Sequence, residues 1–247
     1  MIELKGLWKS FEDNEVLRGL DLTIKQGETI AIVGSSGCGK TVLLKHILGL
    51  LKPDKGKVLV DGIDINANSS HLFDVRKRFG VVFQSCALFD SLKVMENVII
   101  GLKEHCPEMG LKKMEDIGKE KLDLVGLYSE TYHLKPQELS GGMKKRVAIA
   151  RALSMDPEYI IYDEPTTGLD PIMSEKMNNL MIRLKESLEK TTIMVTHDLH
   201  SAFTVVDRIS MLAEGCIVFD GSPREAQKAD NHWMKAFVQS SPLQVRL

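Results

Sequence analysis

The residues Gly34-Ser35-Ser36-Gly37-Cys38-Gly39-Lys40-Thr41 carry the most specific chemistry in the chain. Their glycines let successive backbone N–H groups turn toward one point, and the closing lysine and threonine complete the pattern of a phosphate-binding loop. The apolar run Thr29-Ile30-Ala31-Ile32-Val33 precedes the loop, and Val42, Leu43, Leu44, Ile47 and Leu48 follow it at helical spacing. The loop is therefore expected between a buried strand and the N-terminus of a helix, whose positive end adds to the amide cradle. In that setting Lys40 reaches the β- and γ-phosphates of a nucleoside triphosphate and the Thr41 hydroxyl binds Mg²⁺, with 34–42 as the phosphate-contacting segment.

A second concentration of chemistry ends the run Tyr159-Ile160-Ile161-Tyr162, where Asp163 and Glu164 stand side by side. Ligands of open α/β sheets gather at the carboxyl ends of strands. Two adjacent acids there can divide labour. Asp163 would hold Mg²⁺ directly or through water, and Glu164 would polarise an attacking water, a role worth ~10²–10⁴ in rate. Upstream, Leu139-Ser140-Gly141-Gly142-Met143 joins a capping serine to two unobstructed glycines at the start of a helix. Exposed N–H groups at such a terminus make an anion site.

Several elements must position these groups. Strand-like runs at 2–8 and 16–24 predict a small antiparallel sheet, with a turn at Gly27-Glu28. Further strands are expected at 57–61, 79–83, 159–162, 192–196, 208–212 and 216–220, and helices from about 141 and 172. This alternation predicts an α/β fold, a parallel sheet with helices on both faces. Residues 94–128 lack strand patterning and predict an inserted helical subdomain, while the polar segment after 222 is expected to be partly helical.

Composition sets the outer bounds. The 247 residues are 43% hydrophobic with net charge −2, enough for one main α/β domain and no global positive field for nucleic acid or an anionic membrane. Cys38, Cys86, Cys106 and Cys216 stand far apart, which fits reduced thiols in a cytosolic compartment. No stretch approaches the ~20 apolar residues of a membrane span, so any spans are expected on another chain.

The Leu139–Met143 segment, taken with the phosphate loop and the acidic strand end, resembles the signature of ABC-transporter nucleotide-binding domains. The resemblance covers about residues 2–222. It implies a P-loop NTPase with a RecA-like parallel-sheet core, an N-terminal antiparallel β subdomain and an inserted helical subdomain. The core would comprise 1–89 and 136–222, the helical subdomain 90–135, and the C-terminal tail 223–247. The resemblance also implies that Ser140, Gly141 and Gly142 face the γ-phosphate of ATP held by a second copy in a head-to-tail homodimer. Asp170, in Gly168-Leu169-Asp170, would lie at the same interface. Gln84 would bind Mg²⁺ and water while linking the core to the helical subdomain, and His197, after Met194-Val195-Thr196, would contact the γ-phosphate. Phe11 takes the place of the aromatic that stacks on adenine; tyrosine is usual there, and phenylalanine supplies the same π face. ATP and Mg²⁺ are the implied cofactors, and an ATPase driving integral membrane permease subunits from the cytoplasmic face of the inner membrane is the implied activity.

Two departures narrow the resemblance. Thr41-Val42 stands where Ser-Thr is usual, and Met143-Lys144-Lys145-Arg146 replaces a Gln-rich continuation. Both are similar to the ATPase of Mce-type transporters, the maintenance-of-lipid-asymmetry branch, which implies phospholipid cargo together with Mce-type lipid-binding and periplasmic subunits. Lys144-Lys145-Arg146 is otherwise expected to be a solvated helix face, and Cys38 a small tolerated residue of the loop. The alternatives are the ATPase of another ABC importer, for amino acids for example, and a soluble ABC ATPase of iron–sulfur assembly type. A P-loop kinase would leave Leu139–Gly142 unexplained.

Overall fold

A computed structural model of the protein describes residues 1–67 and 71–239. The end of the expected tail, 240–247, lies outside the described residues. In chain order the first elements are β1 (Ile2–Phe11), β2 (Asn14–Ile24), β3 (Thr29–Val33), α1 (Lys40–Ile47), β4 (Lys55–Val60), β5 (Ile63–Asp64), α2 (Leu72–Lys77) and β6 (Phe79–Val82). There follow α3 (Val94–His105), α4 (Leu111–Leu124), α5 (Gly141–Leu153), β7 (Tyr159–Asp163), α6 (Pro171–Leu188), β8 (Thr191–Thr196) and α7 (Leu199–Val205). The last are β9 (Arg208–Ala213), β10 (Cys216–Gly221), α8 (Pro223–Lys228) and α9 (His232–Gln239). The chain divides into two compact units, Met1–Arg76 with the chain from Leu184 onward, and Lys77–Arg183.

In the first unit, β1, β2, β4 and β5 pair antiparallel in the order β2-β1-β4-β5. Alternation sets the register: Ile2 faces Ile24 and Leu4 faces Leu22, so the apolar residues of both strands bury one face. The other strands of this unit run β10-β9-β3-β8. Here β3 is parallel to both β8 and β9, and β10 returns antiparallel on β9. Every residue of β3 is buried, as expected of a parallel strand covered on both faces. Its carboxyl end feeds the loop 34–39, and that loop caps α1.

The second unit is built on the parallel pair β6–β7, with Gly80 opposite Ile160. A Cβ on Gly80 would lie 2.5 Å from the Ala152 carbonyl oxygen, so glycine lets the end of α5 rest directly on β6. Phe79 and Tyr159 stack with ring centroids 4.9 Å apart, and the Arg78 guanidinium grips Glu158 at 2.8 and 2.7 Å beside the pair. Helices α3, α4 and α5 pack together through Val98, Leu102, Leu122 and Val147 among others.

The expected strands and long helices are present, with β1 and β2 extending further into their hairpin. Patterning missed β5, α2 and α7, whose two, six and seven residues are too few to display a period. The start of the tail is helical, and Ser222 and Glu225 form a capping box on α8. Among the described residues no helix is long and apolar enough to cross a membrane.

Candidate functional site

The phosphate loop is shaped by its own glycines. Gly34, Gly37 and Gly39 have φ of 155°, 82° and 109°, values that side chains disfavour. At Gly34 a Cβ would also lie 2.3 Å from the Leu212 carbonyl oxygen. Lys40 is buried, and its Nζ donates to the carbonyls of Gly34 at 2.8 Å and Ser35 at 2.9 Å. The ammonium thus folds back under the turn that precedes it, while Ser35, Ser36, Gly37 and Thr41 remain exposed. Burial pushes the Cys38 thiol up, with the charge of Lys40 opposing it.

Beside this loop lies a pocket of about 320 Å³, lined by Asn14, Val16, Arg18, Cys38, Glu214 and Gly215 among others. Phe11 stands outside that lining at the tip of the β1–β2 hairpin, 46% exposed, with the Lys9 ammonium 5.4 Å from its ring centroid. His197 is exposed at the end of β8. Asp198, next in the chain, caps α7 by accepting from the His200 N–H at 3.0 Å. Sequence reasoning missed Val16, Glu214 and Gly215. The alternation of β2 accounts for Val16 as a strand residue, and Glu214-Gly215 is only a turn dipeptide; neither carries a sign of chemistry.

In the second unit Asp163 ends β7 and shares an open cleft of about 460 Å³ with Phe83, Gln84, Ser85 and Thr167. Glu164 is buried and sits in the left-handed region at φ 51°, just before Pro165. A glutamate held there is strained, at a cost on the order of 1–3 kcal/mol that the surroundings must offset. The Thr167 hydroxyl donates to Glu164 Oε2 at 3.1 Å, and the Thr167 N–H donates to the Glu164 carbonyl at 3.3 Å. Two further left-handed residues, Cys86 and Ala87 at φ 64° and 46°, follow Gln84. Arg151 of α5 holds both of their carbonyls, at 2.7 and 2.6 Å.

The helix that supplies Arg151 begins at the glycine segment. Ser140 caps α5, its Oγ accepting from the Met143 N–H at 3.3 Å; Gly141 is exposed and Gly142 buried. Asp170 caps α6 in the same manner, accepting from the Met173 N–H at 2.9 Å. The expectation that Lys144-Lys145-Arg146 forms a solvated face fails at Lys145, which is only 4% exposed. Its Nζ donates to the Gln84 carbonyl at 2.7 Å and the Glu164 carbonyl at 3.1 Å. Burial lowers its proton affinity, against the opposing fields of Cys86, Asp163 and Glu164. The helical period held the signal: Lys145 lies three residues after Gly142 and four before Ile149, on the buried stripe.

The metal donors expected from the sequence are the Thr41 hydroxyl, the Gln84 amide oxygen and the Asp163 carboxylate, a hard-oxygen set. Among the described residues no group of three His, Cys, Asp or Glu could hold a metal by itself. This donor chemistry fits Mg²⁺, which binds through one or two carboxylates, here Asp163, and fills its shell with other hard oxygens from hydroxyl, amide, phosphate and water.

Comparison with known proteins supplies the lineage. The ABC transporter family pattern matches residues 17–167. A ribonucleotide transport ATP-binding protein named as probable, mkl of Mycobacterium leprae, is 41% identical over 91% of this chain and 64% of its own length. The chain thus spans somewhat under two thirds of that relative. The intermembrane phospholipid transport ATP-binding protein MlaF of Haemophilus influenzae is 40% identical over 97% of this chain and 90% of its own. Among solved structures, an ATP-binding cassette captured as a dimer in a post-hydrolysis state with ADP and Pi superposes with a TM-score of 0.82. It is 35% identical, covering 91% of this chain and 99% of that one. Motifs, fold and relatives agree, and the chain belongs to the ABC transporter family.

Proposed function

We propose that this chain is the ATP-hydrolysing subunit of a phospholipid transporter, working as a head-to-tail homodimer under a membrane permease at the cytoplasmic face of the inner membrane. The observation that carries the ATPase reading is the glycine-shaped loop with Lys40 already seated beneath it. A triphosphate arriving there meets exposed amides, the N-terminus of α1 and an ammonium whose present partners are neutral carbonyls. Phe11 offers a face to the base, and the pocket around Val16 accommodates the nucleoside.

Thr41, Gln84 and Asp163 would hold Mg²⁺, which would supply neutralising charge for the β- and γ-phosphates. Glu164 accepts the proton of the attacking water, and Thr167 keeps its carboxylate from swinging. His197 contacts the γ-phosphate. The N-terminus of α5 at Ser140–Gly142, together with Asp170, binds the nucleotide of the second copy, so that ATP joins the two chains and its hydrolysis releases them.

The phospholipid assignment draws its support from the near full-length likeness to MlaF, whose name states that cargo. Mce-type and periplasmic subunits are the further partners this reading calls for. Detergent extraction followed by co-purification is the test. Recovery of a permease with phospholipid-stimulated phosphate release supports the proposal. An amino-acid importer permease in the same eluate, or a phosphorylated small-molecule acceptor in place of free phosphate, refutes it.

A further inference from the structure

The helix α5 does more than present Ser140–Gly142. Over two turns it supplies three cationic side chains that end on main-chain carbonyls: Lys145 on residues 84 and 164, Arg146 on residue 125, and Arg151 on residues 86 and 87. Of these, Lys145 joins two segments that are distant in sequence and that each carry a side chain assigned to the reaction. Gln84 is exposed to the cleft, whereas the Lys145 ammonium is buried behind it, so the lysine acts on the backbone that aims the side chains.

We infer that Lys145 is a positioning residue of the hydrolytic site, fixing Gln84 and the strained Glu164 in register with each other through two donated hydrogen bonds. It is an inference that rests on the ATPase reading above. Both acceptors are neutral carbonyls, so what the position requires is a donor of sufficient reach, and a positive charge is secondary. Glu164 at φ 51° has no intrinsic reason to stay there. Its carbonyl is pinned by Lys145 and by the Thr167 N–H, which together fix the peptide and with it the direction of the carboxylate. Loss of the lysine bond frees the peptide while leaving the phosphate loop, in another part of the sequence, untouched. The effect belongs on the chemical step and not on nucleotide affinity.

The test compares Lys145→Met, which keeps an unbranched chain and removes donation, with Lys145→Gln, which has the same reach as methionine, keeps a donor and removes charge. Steady-state phosphate release and equilibrium binding of a fluorescent ATP analogue are measured on the full chain. Lys145→Met is expected to lower kcat at least tenfold with KM and analogue affinity within twofold of wild type. Lys145→Gln is expected to stay within threefold of wild type in kcat. Should methionine prevent folding, Lys145→Asn, a donor too short to span both carbonyls, supplies the same contrast. Wild-type kcat in Lys145→Met, or in Lys145→Asn if that takes its place, overturns the inference. So does a parallel loss of affinity, or equal damage from glutamine. A wild-type chain that releases no phosphate from ATP fails the ATPase reading instead, so the two failures are distinguishable.

Discussion

The phosphate loop and the acidic end of β7 solve the problem of holding charged chemistry in opposite ways. The loop is local: residues 34–40 set its shape through glycine conformations and through bonds from Lys40 to carbonyls five and six residues back. The acidic end is assembled. Glu164 and Gln84 are held by Lys145, and the residues after Gln84 by Arg151, across separations of 19, 61 and 65 residues. A local device depends on each of its own residues and on little else, whereas an assembled one depends on side chains that never meet the ligand.

That difference can be broken by substitution, starting with the largest effect. Lys40→Ala removes the ammonium on which the loop turns and is expected to abolish turnover, falling by a hundredfold or more in a phosphate-release assay. Its loss of turnover should exceed its loss of stability, although the buried Gly34 carbonyl also loses a donor. Arg151→Met should do the reverse. It leaves the Cys86 and Ala87 carbonyls without their donor and is expected to cost about 1–3 kcal/mol in denaturant unfolding, while affinity for nucleotide persists. A change of nucleotide affinity in Arg151→Met as large as that in Lys40→Ala would erase the distinction between the two regions.

The smallest effect concerns Cys38. Its thiol is pushed above the ordinary cysteine value by burial, so less thiolate is present at any pH below that raised value. Alkylation by iodoacetamide should therefore be slower than for a free cysteine at pH 8, should accelerate at higher pH than the free thiol does, and should be slowed further by ATP. Peptide mapping at a series of pH values reads all three.

The same contrast explains what could be read from the sequence. A contiguous device leaves a contiguous trace, so 34–41 with its flanking strand and helix was recoverable from residue types alone. The strand ends at Val33 and Asp163 followed from apolar runs for the same reason. Gln84, His197 and Asp170 were single polar residues on loops, and only resemblance singled them out. By residue type Lys145 reads as a solvated cation, because charge usually marks the surface. Its place on the buried stripe of α5 contradicted that rule, and the stripe was legible. The carbonyls it serves were not, since no backbone oxygen has a sequence signal. The pocket wall at Glu214-Gly215 depends on β10 returning beside β2, a consequence of topology and not of local pattern.

The central claim is that ATP is gripped by two copies of this chain, each completing the other. Sedimentation of Glu164→Gln measures it most directly, because hydrolysis is blocked while the phosphate loop and the Ser140–Gly142 terminus are intact. Saturating Mg·ATP is predicted to convert that variant from monomer to dimer, and a further Lys40→Ala change to return it to monomer. A Glu164→Gln chain that remains strictly monomeric under saturating Mg·ATP would contradict the account.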